Sequence, residues 1–172
     1  MTKSGLACLA LLSQLSAFGE GDSSFDTALK QILLASKDRF AHIPGARIEN
    51  RRRDFFYEPQ LYLPGATYCR ILQTTGDWIF GCDWEHANNR NGFAGLYDRL
   101  VEKVAHALGQ EWNKQPGSRK SGKEIVFIAD GRPTVQLIQP PRTSAIHLFI
   151  LPAGASQKGL STLPDWDAFF HP

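Results

Sequence analysis

The sequence predicts an α+β domain in which one twisted antiparallel sheet, built from two hairpin regions, packs with two main helices in the order α-β-β-β-α-β-β-β. Three observations carry that expectation. Thr67 to Glu85 reads as two β-rich runs around a Thr-Thr-Gly-Asp turn. Asp130-Gly131 is a second tight-turn signal, between Ile125–Ala129 and Thr134–Gln139. Two stretches, one starting at Phe25 and one at Phe93, carry apolar residues at helical spacing.

Composition sets the bounds. A chain of 172 residues that is 42% hydrophobic and 21% charged can bury a core of its own. Its formal charge of +2 gives no whole-molecule attraction to nucleic acid or anionic lipid, so any basic site must be local.

Residues 1–19 read as a secretory signal peptide, with Lys3 ahead of an apolar run from Gly5 to Phe18 and small residues at Ala17 and Gly19. Cleavage is expected near Gly19. The run is shorter than the roughly 20 residues that cross a bilayer, so no membrane span is expected after its removal. Cys8 would leave with it. The remaining boundaries are one α+β domain over 20–152 and a loop-like tail over 153–172.

Gly21–Ser24 reads as a polar linker ending in N-cap residues. Helix one follows from Phe25 through Ala28, Leu29, Ile32 and Leu33, and stops before Ile43-Pro44-Gly45, which reads as a turn. Arg47 to Glu58 is the most charged stretch. Arg51, Arg52 and Arg53 beside Phe55, Phe56 and Tyr57 could grip phosphate and stack on bases, which makes Arg51, Arg52, Arg53 and Tyr57 candidate binding residues. Glu49, Asp54 and Glu58 break up the positive field, so the favoured reading is a weak edge strand and not a nucleic-acid site.

In the first hairpin, a turn centred between Thr75 and Gly76 sets Cys69 opposite Cys82 and Ile71 opposite Phe80. Tyr68, Leu72, Ile79 and Asp83 then point to the other face. With an exported chain, the Cys69–Cys82 pair reads as a structural disulfide, preferred over free thiols and over a redox centre, since no C-x-x-C is present.

The second helix is expected from Phe93 through Trp112, about five turns, with Asn88 or Asn91 as its cap. Gly117 to Lys123 has the spacing of a phosphate-binding loop, but Glu124 stands where Ser or Thr is needed. The stretch also leads from helix to strand, the reverse of such a loop. It is read as a connection without a nucleotide. The second hairpin leads to a strand at Ala145–Leu151, with Ile146, Leu148 and Ile150 on one face and His147 and Phe149 on the other. The tail holds Leu163, Trp166, Phe169 and Phe170, apolar mass enough to dock on the domain or on a partner. In the succession of its elements alone, the chain resembles the α+β fold of bacterial secretion chaperones, a likeness that no motif carries and that transfers no activity.

No HExxH, G-x-S-x-G or other catalytic spacing occurs. The one constellation of titratable groups is Asp83, Glu85 and His86 at a strand end, which could hold a metal or run acid–base chemistry. Arg70 on the neighbouring strand offers Asp83 a surface ion pair instead. The expectation is a secreted or periplasmic binding module for a protein or small ligand, non-enzymatic and needing no cofactor or metal. The alternative is a hydrolase or metal-dependent enzyme using Asp83, Glu85 and His86, with His147 as a further candidate.

Overall fold

The computed structural model describes residues 20–48, 55–74, 77–85, 95–117, 122–141 and 145–155, the side chains of 20–22 and 85 excepted. Helix α1 is Glu20–Ala35 and helix α2 is Leu96–Leu108. The strands are β1 (Pro44–Ile48), β2 (Phe55–Pro59), β3 (Tyr68–Gln73), β4 (Trp78–Glu85), β5 (Asn113–Pro116), β6 (Lys123–Ile128), β7 (Thr134–Gln139) and β8 (Ala145–Leu151). They form one eight-stranded antiparallel sheet in the order β1-β2-β3-β4-β8-β7-β6-β5. The α+β class and the antiparallel sheet are as expected from the sequence. Each half of the molecule is a helix followed by a four-stranded meander, and the last strands of the two halves, β4 and β8, meet in the middle.

Two strands go beyond the expected order, and both are edges. Ile43-Pro44-Gly45 does not open a turn: Pro44 pairs with Pro59, and a side chain on Gly45 would place its first carbon 2.7 Å from the carbonyl oxygen of Glu58. Glycine stands there because the backbones approach closely. At the far edge β5 occupies residues expected to be the end of a helix and the start of a loop. Neither edge strand buries a single residue fully, so neither shows the apolar alternation by which a strand is read.

Helix α1 takes in Gly21–Ser24, whose polar composition suggests a linker, and buries Phe25, Leu29 and Ile32. A short 3-10 turn, Ser36–Asp38, follows it, and Ser36 Oγ donates to the Leu33 carbonyl at 2.7 Å. Arg39 and Phe40 then adopt left-handed φ values of 57° and 61°, costly for residues with a Cβ. The conformation carries the wholly buried Phe40 into the core, where its ring lies 6.0 Å from that of Phe80. Burial of a Phe side chain contributes on the order of 2–3 kcal/mol and offsets the strain.

Helix α2 is shorter than the expected run to Trp112. Gly109, at φ 77°, closes it by donating its N–H to Ala105 O at 3.0 Å, and Trp112 is buried beyond the helix end. The expected caps Asn88 and Asn91 lie outside the described residues. The start of α1 rests against the end of α2, with His106 Nδ1 3.1 Å from Asp26 Oδ2 and Lys103 Nζ over the Phe25 ring.

Both helices cover the same face of the sheet. Their apolar stripes close over Cys69, Ile71, Phe80, Cys82, Trp84, Leu137, Ile146, Leu148 and Ile150 to form the main core. The first hairpin has the register its sequence implied, Cys69 opposite Cys82 and Ile71 opposite Phe80. Cys69 and Cys82 are bridged, with Cα atoms 4.1 Å apart. The opposite face carries a second, smaller apolar cluster of Phe56, Leu72, Ile79, Ile138, Phe149 and Leu151.

Candidate functional site

The polar residues of interest stand on the face away from the helices. Strand alternation puts Tyr68, Arg70, Asp83, His147, Gln136 and Glu124 there, because their direct neighbours Cys69, Cys82, Leu137 and Leu148 face the helices. They form a polar belt beside the apolar cluster. At its centre Asp83 of β4 is paired in register with His147 of β8, and His147 Nδ1 lies 3.3 Å from Asp83 Oδ1. Both side chains are buried, at 1% and 2% exposure. The contact is one of proximity: neither carboxylate oxygen of Asp83 makes a hydrogen bond among the described residues.

This corrects the surface ion pair expected between Asp83 and Arg70. The carboxylate is buried, and the partner at its side comes from the far half of the chain. Arg70 stands opposite Gly81, half-buried, and burial lowers the pKa of its guanidinium from the usual value. Farther along the belt Gln136 Nε2 donates to Glu124 Oε1.

Of the three residues whose types and spacing suggest acid–base or metal chemistry, Asp83 alone can be described in full. His86 and the Glu85 side chain lie outside the described residues. Among the described residues no group of three His, Cys, Asp or Glu side chains could hold a metal ion. The candidate binding residues Arg51, Arg52 and Arg53 also lie outside them. Tyr57 faces the helix side, where its hydroxyl donates to Gln73 Oε1 at 3.0 Å and its ring stacks on Trp78 with centroids 5.5 Å apart. Nearby, the Arg47 guanidinium sits 3.9 Å from the centre of the Phe55 ring.

Open cavities lined by described residues occur elsewhere. One of about 510 Å³ lies along the helices between Asp26, Asp98, Glu102, Lys103 and His106. Another, about 350 Å³, lies between Ser36, Lys37, Trp112, Arg132 and Pro133. Asp83 and His147 line neither.

A surface feature that sequence reasoning missed lies at the β2–β3 end of the polar belt. Tyr62 and Tyr68 are 44% and 43% exposed, and the Tyr62 hydroxyl donates to Glu58 Oε1 at 2.9 Å. Continuing the β2–β3 register sets Glu58 opposite Arg70, so Tyr68 is its diagonal neighbour on the same face. Burial, followed by the hydrogen bond to Glu58 and that carboxylate's charge, raises the pKa of Tyr62. Its phenol therefore stays neutral and keeps its donor. The only sequence signal was one Tyr in the β2–β3 connection and one at the start of β3, which alternation alone cannot tell from ordinary surface.

The chain matches no protein-family model, no curated protein and no solved structure.

Proposed function

We propose that this chain is a secreted or periplasmic binding module, non-enzymatic, that receives a protein partner on the Tyr62–Glu58–Tyr68 surface. The observation that carries the reading is the pair of exposed tyrosines held on a braced sheet end. Tyr62 is tied to Glu58, and Tyr68 is the residue before Cys69, whose bridge to Cys82 pins β3 to β4. Tyrosine offers a large contact area with a polar tip and few rotatable bonds, which is why it is enriched where proteins meet. A rigid support lowers the entropy lost on binding. The disulfide supports an oxidising compartment, and no helix among the described residues is long and apolar enough to cross a membrane.

The test is site-specific photo-crosslinking in the native host, with p-benzoylphenylalanine replacing Tyr62 or Tyr68 and, as a control, Lys114 on the opposite edge. A discrete adduct from 62 and 68 but not from 114 supports the reading. Equal adducts from all three positions, or none, overturn it. Intact mass of the exported chain checks the compartment: a start near Glu20 and a mass two hydrogens lighter until reduction are expected.

A second reading, a hydrolase or metal-dependent enzyme using Asp83 with Glu85 and His86, draws support from the Asp83–His147 contact, since a carboxylate beside an imidazole is the orienting half of a general base. It requires that Asp83→Asn abolish a measurable turnover while leaving the crosslinks intact.

A further inference from the structure

The cavity of about 350 Å³ beside Trp112 is walled by four separate stretches of chain. Leu33, Ser36 and Lys37 come from the end of α1 and the 3-10 turn after it, and Trp112 from the segment beyond α2. Residues 130–133 come from the β6–β7 connection, and Ala153 follows β8. The volume lies within the roughly 300 to 1,000 Å³ that small-ligand sites occupy. Its walls are held in place. The Phe40 N–H donates to Ala35 O at 2.7 Å and the Arg39 N–H to Ser36 O at 3.1 Å, which fixes the turn carrying Lys37. The Arg132 N–H donates to Ala129 O at 3.2 Å with Gly131 at φ 67°, which fixes the turn carrying Asp130. The Arg132 guanidinium lies 2.5 Å from Glu111 Oε2 and links this turn to the segment that carries Trp112. Preformed walls lower the ordering cost of binding.

The charged side chains lining this cavity are not used alike. Arg132 is committed to Glu111. Lys37 and Asp130 are not: neither makes an ion pair or a side-chain hydrogen bond among the described residues, with each other or with another group. An ammonium and a carboxylate that share one cavity without pairing complement a molecule that carries both charges. A simple anion would meet the repulsion of Asp130, and a simple cation that of Lys37. The remainder of the lining includes Trp112 and Pro133, both buried, and the half-buried Leu33, an apolar surface for the body of a ligand.

We propose that this cavity binds a small zwitterion with an apolar body, namely an α-amino acid with a large apolar side chain or a dipeptide of such residues. The ligand's carboxylate meets Lys37, its ammonium meets Asp130, and its side chain rests on Trp112. The site lies where β8 ends and β7 begins, Leu151 pairing with Thr134. Tyr68 starts β3 opposite Asp83, which in turn pairs with His147 near the start of β8. The cavity and the Tyr62–Tyr68 surface thus occupy opposite ends of the sheet, and the two readings stand or fall separately.

Saturation-transfer NMR on the full chain tests this, with L-phenylalanine and the dipeptide leucyl-phenylalanine as probes and dissociation constants taken from the concentration dependence. Transfer to the ring protons of one or both is expected. L-phenylalaninamide keeps only the ammonium and N-acetyl-L-phenylalanine only the carboxylate, so each should bind about tenfold more weakly than L-phenylalanine, for want of one charge-assisted contact. Lys37→Met should erase the preference over the amide, and Asp130→Asn the preference over the N-acetyl compound. Both positions are exposed, so neither change threatens the fold. Lys30→Met, at an exposed position on α1 away from the cavity lining, should leave both preferences intact. Tighter binding of the dipeptide assigns the site to peptides, and tighter binding of L-phenylalanine assigns it to free amino acids. No transfer to either probe, equal binding of the singly charged derivatives, or a preference that survives its variant overturns the proposal.

Discussion

Asp83 and His147, far apart in sequence, face each other across the seam where the two halves of the sheet join, 3.3 Å apart and almost wholly buried. The pair ties β4 to β8 at a point where the surrounding face changes from polar to apolar. Taking a carboxylate and an imidazole out of water is costly, and removing either group changes the buried surroundings of the other.

Asp83→Leu or His147→Phe alone is therefore expected to cost about 3 to 5 kcal/mol. The double variant should recover most of that loss, because two well-packed apolar side chains need no partners. Urea unfolding midpoints of the two single variants and the double variant give the coupling directly. Additive losses would show that the contact contributes nothing of its own.

The Cys69–Cys82 bridge closes a loop with a sequence separation of 13, and in the chain-entropy model its loss costs about 3 kcal/mol. A Cys69→Ala, Cys82→Ala variant should show a midpoint lowered accordingly, and its unfolding should not respond to dithiothreitol. The native chain under reduction should approach the variant's stability.

Tyr97, on the first turn of α2, donates its hydroxyl to the Leu137 carbonyl of β7 at 3.4 Å. Burial, followed by the charges of Asp98 and Glu124, pushes its pKa up to about 12. An unfolded tyrosine ionises near 10, so between about pH 10 and 12 the unfolded chain has lost a proton that the folded chain still holds. Stability from this group is full below pH 10 and falls through that window, by about 2 to 3 kcal/mol at most. Tyr97→Phe should lower stability near neutral pH by about 1 kcal/mol, the net contribution of a hydrogen bond. Its stability should then decline less steeply above pH 10, as followed by chemical denaturation at fixed pH steps.

Gly122 belongs to the stretch whose spacing resembles a phosphate loop, yet its role is local. It sits at φ 86°, and a Cβ there would come within 2.5 Å of the Gln139 carbonyl oxygen, where β6 begins to pair with β7. Gly122→Ala should destabilise the fold by about 2 kcal/mol, from backbone strain and that close approach. Calorimetry checks this. A neutral outcome would mean that the start of β6 can shift without loss.

The sequence by itself determined everything that rests on short-range pattern. The register of the first hairpin followed from where its turn falls, and with it the meeting of Cys69 and Cys82. Thr134–Gln139 and Ala145–Leu151 followed from alternation between turn signals, as did the placing of His147 and Phe149 opposite Ile146, Leu148 and Ile150. Alternation is set by backbone geometry, so it is visible without the fold. Only the tertiary structure decided what depends on contacts between distant segments. It paired β4 with β8, and so gave Asp83 a histidine where its hairpin neighbour offered an arginine. It made strands of Pro44–Ile48 and Asn113–Pro116, whose exposed side chains carry no pattern and whose place comes from hydrogen bonds to β2 and β6. It ended α2 at Gly109 and let Trp112 stay buried without a helix, because burial follows from what lies across the core and not from spacing along the chain.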